Sequence, residues 1–465
     1  MKPTKLDWNY SKHRESLSFN QLQAFDLLHD WYACNTEIPF VLRGYAGTGK
    51  TFLIQRVIKS FQECFLKEKW GEINPIYVAL AAPTHKARHI LDAMAASAGL
   101  NQDRIHVSTL HSLLHVMPGE YDENGKQKLK PNLYSRGPTY SEFDLVVIDE
   151  ASMLGDELLS LIPKKTPTIF IGDPAQLPPV EDNLNESPIF SLPCGIELTQ
   201  VMRYEGAIAE YVTALRQNLS AQFPPRLLSQ GNIEKLQFED WLEGAIASYK
   251  FNRTSAKVLA WTNNRVNSLN NQIRVVLYPN AEQIEEGEIL FAKEPIFLFT
   301  PEGDKSDIFM HSCAECKVTE FKEYSGSRHP LVRSPFKTYR MGVTNDMGRE
   351  ATISMIHNDS WDLVKSSVSE EKKHILSLES NKRKHAWRNY YEFLEMYNLV
   401  IKGSLMQRLQ YGYAITVHQS QGGTFLNCFV DTSNIFGCRD VVMRNKLLYV
   451  AYSRASQQLY CCSKW

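Results

Sequence analysis

The sequence predicts an α/β protein built on more than one parallel sheet, and three observations carry that expectation. A complete phosphate-loop pattern, Gly44-Tyr45-Ala46-Gly47-Thr48-Gly49-Lys50-Thr51, stands between the apolar run Phe40-Val41-Leu42 and the helical pattern of residues 52–58. Further short apolar runs end in polar residues: 76–82 into Pro83-Thr84-His85, 145–148 into Asp149-Glu150, and 168–171 into Gly172-Asp173. The same pattern resumes late in the chain, where 257–261 leads into Thr262-Asn263-Asn264-Arg265 and 428–430 into Asp431-Thr432. Short apolar runs separated by helical stretches read as buried parallel strands. Alternating strand and helix gives a doubly wound sheet, with ligands gathered outside the carboxyl ends of the strands.

Between the two parts of the second α/β region lies a stretch of different character, 285–400. It opens with the strand-like runs Ile289-Leu290-Phe291-Ala292 and Ile296-Phe297-Leu298-Phe299, turns at Pro301-Glu302-Gly303, and becomes helical and basic around Lys382-Arg383-Lys384-His385. An inserted small β domain followed by helices is expected there. A second insertion is signalled at 120–130, where Asn124-Gly125 marks a β-hairpin because both central positions of its turn favour positive φ.

Composition narrows the class. The chain has 465 residues, 43% apolar and 22% charged, with a net charge of −1, which is ordinary for a globular protein of two to four domains. Near neutrality argues slightly against a polyanionic partner, although local stripes of Lys and Arg outweigh the sum. No run approaches the length needed to cross a bilayer, and the first residues lack an apolar export segment. The nine cysteines are odd in number and scattered, so a reducing, cytoplasmic setting is expected rather than a disulfide scaffold. Cys313 and Cys316 form a lone C-x-x-C pair with His311 as the nearest further ligand, which is too little for a structural zinc site.

The phosphate-loop pattern implies specific chemistry. Its glycines let successive N–H groups face one anion at a helix N-terminus. Lys50 then reaches the β- and γ-phosphates and the Thr51 hydroxyl ligates Mg²⁺. Asp149 and Glu150, at the end of a later buried strand, supply a carboxylate for Mg²⁺ and one to polarise the attacking water. Gln176, in Gly172-Asp173-Pro174-Ala175-Gln176-Leu177-Pro178-Pro179, is placed to touch the γ-phosphate. Arg203 and Arg454 are candidates to stabilise the charge that spreads over the transferring phosphoryl group. ATP and Mg²⁺ are the expected nucleotide and metal.

Taken in order, these motifs resemble those of a superfamily 1 helicase, nearest the Dda-like and RecD-like group called superfamily 1B. Leu17-Ser18-Phe19-Asn20-Gln21 is similar to the Q motif, in which Gln21 would read adenine. Gly44, Ala46, Gly47, Thr48, Gly49, Lys50 and Thr51 correspond to motif I. Ala82-Pro83-Thr84-His85-Lys86-Ala87 is similar to motif Ia, and Ser108-Thr109-Leu110-His111 to motif Ib. Asp149 to Ser152 resembles motif II, Gly172 to Pro179 motif III, and Val201 to Tyr204 motif IV. Tyr413-Ala414-Ile415-Thr416-Val417-His418-Gln419-Ser420-Gln421-Gly422 resembles motif V, and Leu447 to Ala455 motif VI, with Ser453 where Thr is common. Gly422 and Arg454 would complete the nucleotide site.

The resemblance implies two RecA-like parallel-sheet domains with an inserted β-hairpin pin and an inserted small β-barrel. The expected division is 1–195 for the first domain with the pin at about 112–141, 196–284 plus 401–465 for the second, and 285–400 for the barrel and helices. It implies ATP-driven 5′-to-3′ movement on single-stranded DNA, unwinding of forked duplex, a monomer, contacts with a single-stranded-DNA-binding protein or replication proteins, and a host-cell cytoplasmic setting if the chain is phage-encoded. Single strands are held by phosphate contacts and stacking, for which Pro83, Thr84, His85, Lys86, Thr109, His111, Asn263, Thr416, His418 and Trp387 are the candidates. Each has a plainer role available, since Thr at a strand end caps helices and an aromatic at helical spacing packs in a core. A translocase that strips proteins from DNA, and a nucleotide-gated DNA-binding module with little turnover, are the alternatives the residues leave open.

Overall fold

A computed structural model describes the chain apart from residues 1–3, 6–10, 35, 70–71, 122–126, 133–136, 180–185, 203–205, 253–255, 280, 282–283, 300–304, 311, 346–347, 403 and 463–465. It divides into two compact units. The first comprises 1–245, 254–262 and 416–465, and the second 246–253 and 263–415.

The first unit holds both expected parallel sheets. In one, six strands lie in the order Gly195–Leu198, Phe40–Gly44, Thr168–Gly172, Leu145–Ile148, Val78–Ala82 and Ile105–Thr109, all paired in parallel. Successive side chains alternate between faces. Phe40, Leu42, Val78, Leu80, Val147 and Ile171 therefore join the core built with helices Phe19–Ala33, Lys50–Cys64 and His85–Ser97. Val41, Ala79, Ala81, Val146, Ile148 and Phe170 join a second core with Leu113, Tyr140, Phe143 and Leu154. Burial on both faces is why these strands read as continuous apolar runs. Phe40–Gly44 lies between Gly195–Leu198 and Thr168–Gly172, and its carboxyl end opens into the phosphate loop, as ligand sites of such sheets lie outside the carboxyl ends of the strands.

The second sheet of this unit runs Ile233–Leu236, Ala455–Cys462, Phe425–Asp431 and Ala256–Ala260, again in parallel. Helix Val441–Tyr452 begins at Asp440, whose carboxylate accepts the Met443 N–H at 2.9 Å. Residues 444–452 of this helix are all buried. Three of its polar members are satisfied by backbone carbonyls, as buried polar groups need partners. Arg444 donates to Gln222 O, Asn445 donates to Leu219 O and Ala221 O, and Lys446 donates to Pro174 O.

The expected hairpin is present as strands Val116–Tyr121 and Gln127–Pro131, antiparallel with Tyr121 opposite Gln127. Its Asn124-Gly125 turn lies outside the described residues. The Leu129 N–H donates to the Glu157 carboxylate at 2.9 Å, which ties the base of the hairpin to helix Asp156–Ser160.

The second unit contains the inserted β domain. Five antiparallel strands lie in the order Glu350–Ile356, Val332–Asn345, Glu315–His329, Ile289–Ala292 and Leu409–Tyr411, an open order in its hydrogen bonding. Helices Trp361–Ser377 and Ser380–Met396 pack on the long hairpin through Val332, Phe336, Val364, Tyr390 and Phe393. Among the described residues all nine cysteines are free, no group of three or more His, Cys, Asp or Glu is set to hold a metal, and no helix is long and apolar enough to cross a membrane.

Candidate active site

The phosphate loop follows from its glycines. Gly47 has φ +79° and Gly49 has φ +73°, in the left-handed region that favours glycine. A side-chain carbon on Gly49 would also stand 2.7 Å from the Gln21 amide nitrogen. That amide holds the loop from beneath. Gln21 Nε2 donates to Thr48 O at 3.1 Å, while its Oε1 accepts the Ser18 N–H in the capping box of helix Phe19–Ala33. Gln21 is thus placed against the loop backbone and is itself buried.

Lys50 Nζ donates to Gly44 O and Tyr45 O, each at 2.9 Å. The Thr51 hydroxyl lies 3.5 Å from the Asp149 carboxylate. Burial, and then the adjacent Glu150 carboxylate, push Asp149 up to about 6. Glu150 has φ +50°, uncommon for a residue with a side chain and typical of positions held by a site. Gly422, at φ +73°, lies beside it: a side-chain carbon there would stand 3.8 Å from Glu150 Oε1, an ordinary contact, so it is the backbone conformation that favours glycine.

One cavity of about 250 Å³ is lined by Ala46 to Thr51, Asp149, Glu150, Gly172, Gln176, Met202, Gly422 and Arg454. It therefore gathers most of the residues expected to handle nucleotide. Arg454 is 1% exposed and is steadied by Val450 O at 3.1 Å and Gly423 O at 3.2 Å. Arg203 lies outside the described residues; its neighbour Met202 donates its N–H to Gly47 O at 2.7 Å.

The residues fit a nucleoside triphosphate with Mg²⁺. Gln176 Oε1, an acceptor, is buried without a partner among the described residues and suits a donor such as the attacking water. The Thr51 hydroxyl beside the Asp149 carboxylate is an oxygen pair of the kind Mg²⁺ takes with few protein ligands.

The DNA-contact candidates are placed as follows. Thr109 ends its strand opposite Ala82, the last residue of the neighbouring parallel strand, and Thr84 stands two residues beyond Ala82. Both are helix N-caps, Thr84 accepting the Ala87 N–H and Thr109 the Ser112 N–H, each at 3.2 Å. Pro83 and His111 are half-buried beside them. Residues 85 and 86 open the helix that Thr84 caps. Thr416 accepts the Gln419 N–H at 3.2 Å, and burial holds the nearby His418 imidazole below its usual value. In the second unit Asn263 is exposed at the start of helix Asn263–Leu277. Trp387 stacks on Tyr391 with ring centroids 5.7 Å apart and packs against the helical core.

Two residues that sequence reasoning missed join this site. The Tyr449 hydroxyl donates to the buried Asp173 carboxylate and accepts the Ala46 N–H of the phosphate loop at 2.9 Å. Arg216 donates to Asp173 at 3.0 Å and to Glu197 at 2.7 Å, and its guanidinium lies 3.7 Å from the centre of the Tyr45 ring.

With this geometry in view, residues 31–237 match the AAA domain family and residues 411–462 the UvrD-like helicase C-terminal domain family. The chain is similar to Dda-like helicases along most of its length and to RecD-like helicases over part of it. It is 26% identical to the ATP-dependent DNA helicase Dda of Enterobacteria phage T4, over 90% of this chain and 93% of that one. An uncharacterised protein of Acanthamoeba polyphaga mimivirus is 27% identical over 94% of this chain and 98% of its own. The ATP-dependent RecD2 DNA helicase of Deinococcus radiodurans is 31% identical over 42% of this chain and 23% of its own length. Among solved structures, a Pif1 helicase from Candida albicans covers 96% of this chain and 94% of its own, at 15% identity and a TM-score of 0.46.

Proposed function

We propose that the protein is an ATP-dependent DNA helicase that moves 5′-to-3′ along single-stranded DNA and unwinds forked duplex, hydrolysing ATP between its two RecA-like parallel sheets. The observation that carries this reading is the single cavity lined by Lys50, Asp149, Glu150, Gln176 and Arg454, because those side chains come from both sheets of the first unit. The domain division expected from the motifs is kept in the proposal, with residues 1–195 and 196–284 plus 401–465 as the two motor domains and 285–400 as the insert. A monomer acting on tailed or forked DNA is the proposed working form.

The residues would divide the chemistry as follows. The phosphate-loop amides and Lys50 bind and orient the triphosphate. Thr51 and Asp149 would hold Mg²⁺, which neutralises charge on the β- and γ-phosphate oxygens when bound. Glu150 accepts hydrogen bonds from the attacking water and receives its proton. Gln176 and Arg454 meet the γ-phosphoryl end, and a guanidinium there stabilises the charge that develops in transfer. Arg203 is proposed to act beside Arg454. Thr84, Thr109, Thr416 and their neighbours are proposed to contact the DNA backbone from strand ends, where hydroxyls meet phosphate.

Strand displacement on 5′-tailed and 3′-tailed duplexes, with and without ATP and Mg²⁺, tests the reading. Unwinding only of the 5′-tailed substrate, and only with both additions, is expected. ATP turnover that single-stranded DNA leaves unchanged would sink it.

A further inference from the structure

The Tyr449 hydroxyl has a position that nucleotide binding alone does not explain. It sits on the buried helix Val441–Tyr452 and makes two bonds of opposite sense. Its oxygen accepts the N–H of Ala46, a residue of the phosphate loop, and its proton goes to the Asp173 carboxylate. Asp173 is fully buried and opens the loop that carries Gln176; its other oxygen accepts the Ala175 N–H and two bonds from Arg216. Arg216 in turn covers the ring of Tyr45, the neighbour of Ala46. The circuit therefore closes on the phosphate loop. One helical turn before Tyr449, Lys446 grips the same loop through Pro174 O at 2.8 Å, as residues three apart on a helix face do.

The helix that carries these two contacts runs directly into Arg454, whose guanidinium bonds back to Val450 O. Ala46, Asp173 and Arg454 are thus joined by one short element with little freedom to move separately.

We infer that Tyr449 is a positioning residue: its hydroxyl locks the phosphate loop to the Asp173 loop and so sets Arg454 and Gln176 against the γ-phosphoryl group. This inference rests on the proposed ATP hydrolysis at the same cavity. Ground-state nucleotide binding is left mainly to the glycine loop and Lys50. An interaction that matters only when charge develops lowers kcat and spares KM.

The test is Tyr449→Phe, which removes only the hydroxyl, measured in the full chain with single-stranded DNA present. At least a tenfold fall in kcat is expected, with KM for ATP within about threefold of wild type. Affinity for ADP with aluminium fluoride, a mimic of the transferring phosphoryl group, should fall at least tenfold while affinity for ADP alone changes by less than about threefold. In an Asp173→Asn background the same substitution should add little, because coupled residues are non-additive. Unchanged kcat and unchanged fluoride-complex affinity would overturn the inference. So would a loss of ADP affinity that follows the melting temperature, since that marks a purely structural role. If the wild-type protein itself hydrolyses no ATP, the helicase reading has failed, an outcome distinct from either of these.

Discussion

Glu150 shows how a single residue acquires a role from its surroundings. The strand Leu145–Ile148 ends just before it, its backbone takes a positive φ, and its carboxylate lines the cavity that Lys50 and Arg454 also line. Replacing it with Gln keeps the shape and removes the base, so ATP turnover should fall about 10²- to 10⁴-fold while nucleotide affinity, measured by equilibrium binding, is retained. Loss of affinity in parallel would make Glu150 a binding residue instead. Arg454→Ala should cost on the order of 10³-fold or more in turnover, the range for removal of a guanidinium from a phosphoryl site. Because Arg454 is buried, Arg454→Lys is the control: it keeps a cation and stem but loses the planar fork, and it should stay folded by circular dichroism yet hydrolyse poorly. The pH dependence has a definite sign. Burial and Glu150 raise Asp149 to about 6, so the neutral carboxyl prevails below that value and the carboxylate above it. A neutral carboxyl is a poor Mg²⁺ ligand. Turnover should therefore fall as pH drops through about 6, and raising Mg²⁺ should move that limb to lower pH. A limb that ignores Mg²⁺ would assign it to another group.

At the scale of elements, what could be read in advance depended on how local the cause is. The phosphate loop, the Asp149-Glu150 strand end and the Asp173 loop each carry their chemistry within a few residues, and the structure draws them to one cavity. Helix Val441–Tyr452 was harder. Its Leu-Tyr-Val-Ala string was legible as the lead-in to Arg454, but nothing near Tyr449 in sequence points to Asp173 or Ala46, hundreds of residues away. The signals available were the polar residues Arg444, Asn445, Lys446 and Tyr449 in a helix otherwise rich in apolar residues, and an aspartate just after a buried strand in need of donors. Arg216 hid in the same way within an amphipathic pattern. The threonines show the opposite case, where a local rule supplied two answers. Thr84 caps helix His85–Ser97, and cap loss costs about 1 kcal/mol. Thr84→Ala should lower unfolding stability by that amount, and Thr84→Ser should restore it. If Thr84 also touches DNA, Thr84→Ala should weaken single-strand binding beyond what Thr84→Ser does, in titrations at fixed salt; equal affinities would leave it a cap alone.

At the scale of the whole molecule, the alternation of buried strands and helices was enough to anticipate two parallel sheets, because burial on both faces removes polar residues from a strand and leaves an unmistakable run. In the insert the short strands Ile289–Ala292 and Ile296–Phe299 and the later helices were legible, but its longest strands were not. Its long strands Glu315–His329 and Val332–Asn345 are half exposed, so they alternate apolar and polar residues and carry no motif. The hairpin was legible through its turn, since two adjacent residues that favour positive φ are rare outside such turns. Its contribution can be separated from that of the motor. Among the described residues the strands Val116–Tyr121 and Gln127–Pro131 pair only with each other, and their base is tied to Glu157 through Leu129. Removing residues 123–128 therefore leaves both parallel sheets and the nucleotide cavity intact. If the hairpin splits duplex ahead of a moving motor, the shortened protein should keep its DNA-stimulated ATP turnover and its movement along single strands, followed by arrival at a fluorophore-labelled end. Its rate of strand separation on a tailed duplex should fall severalfold or more. Equal loss of movement and unwinding would make the hairpin part of the scaffold, and undiminished unwinding would place strand separation elsewhere in the chain.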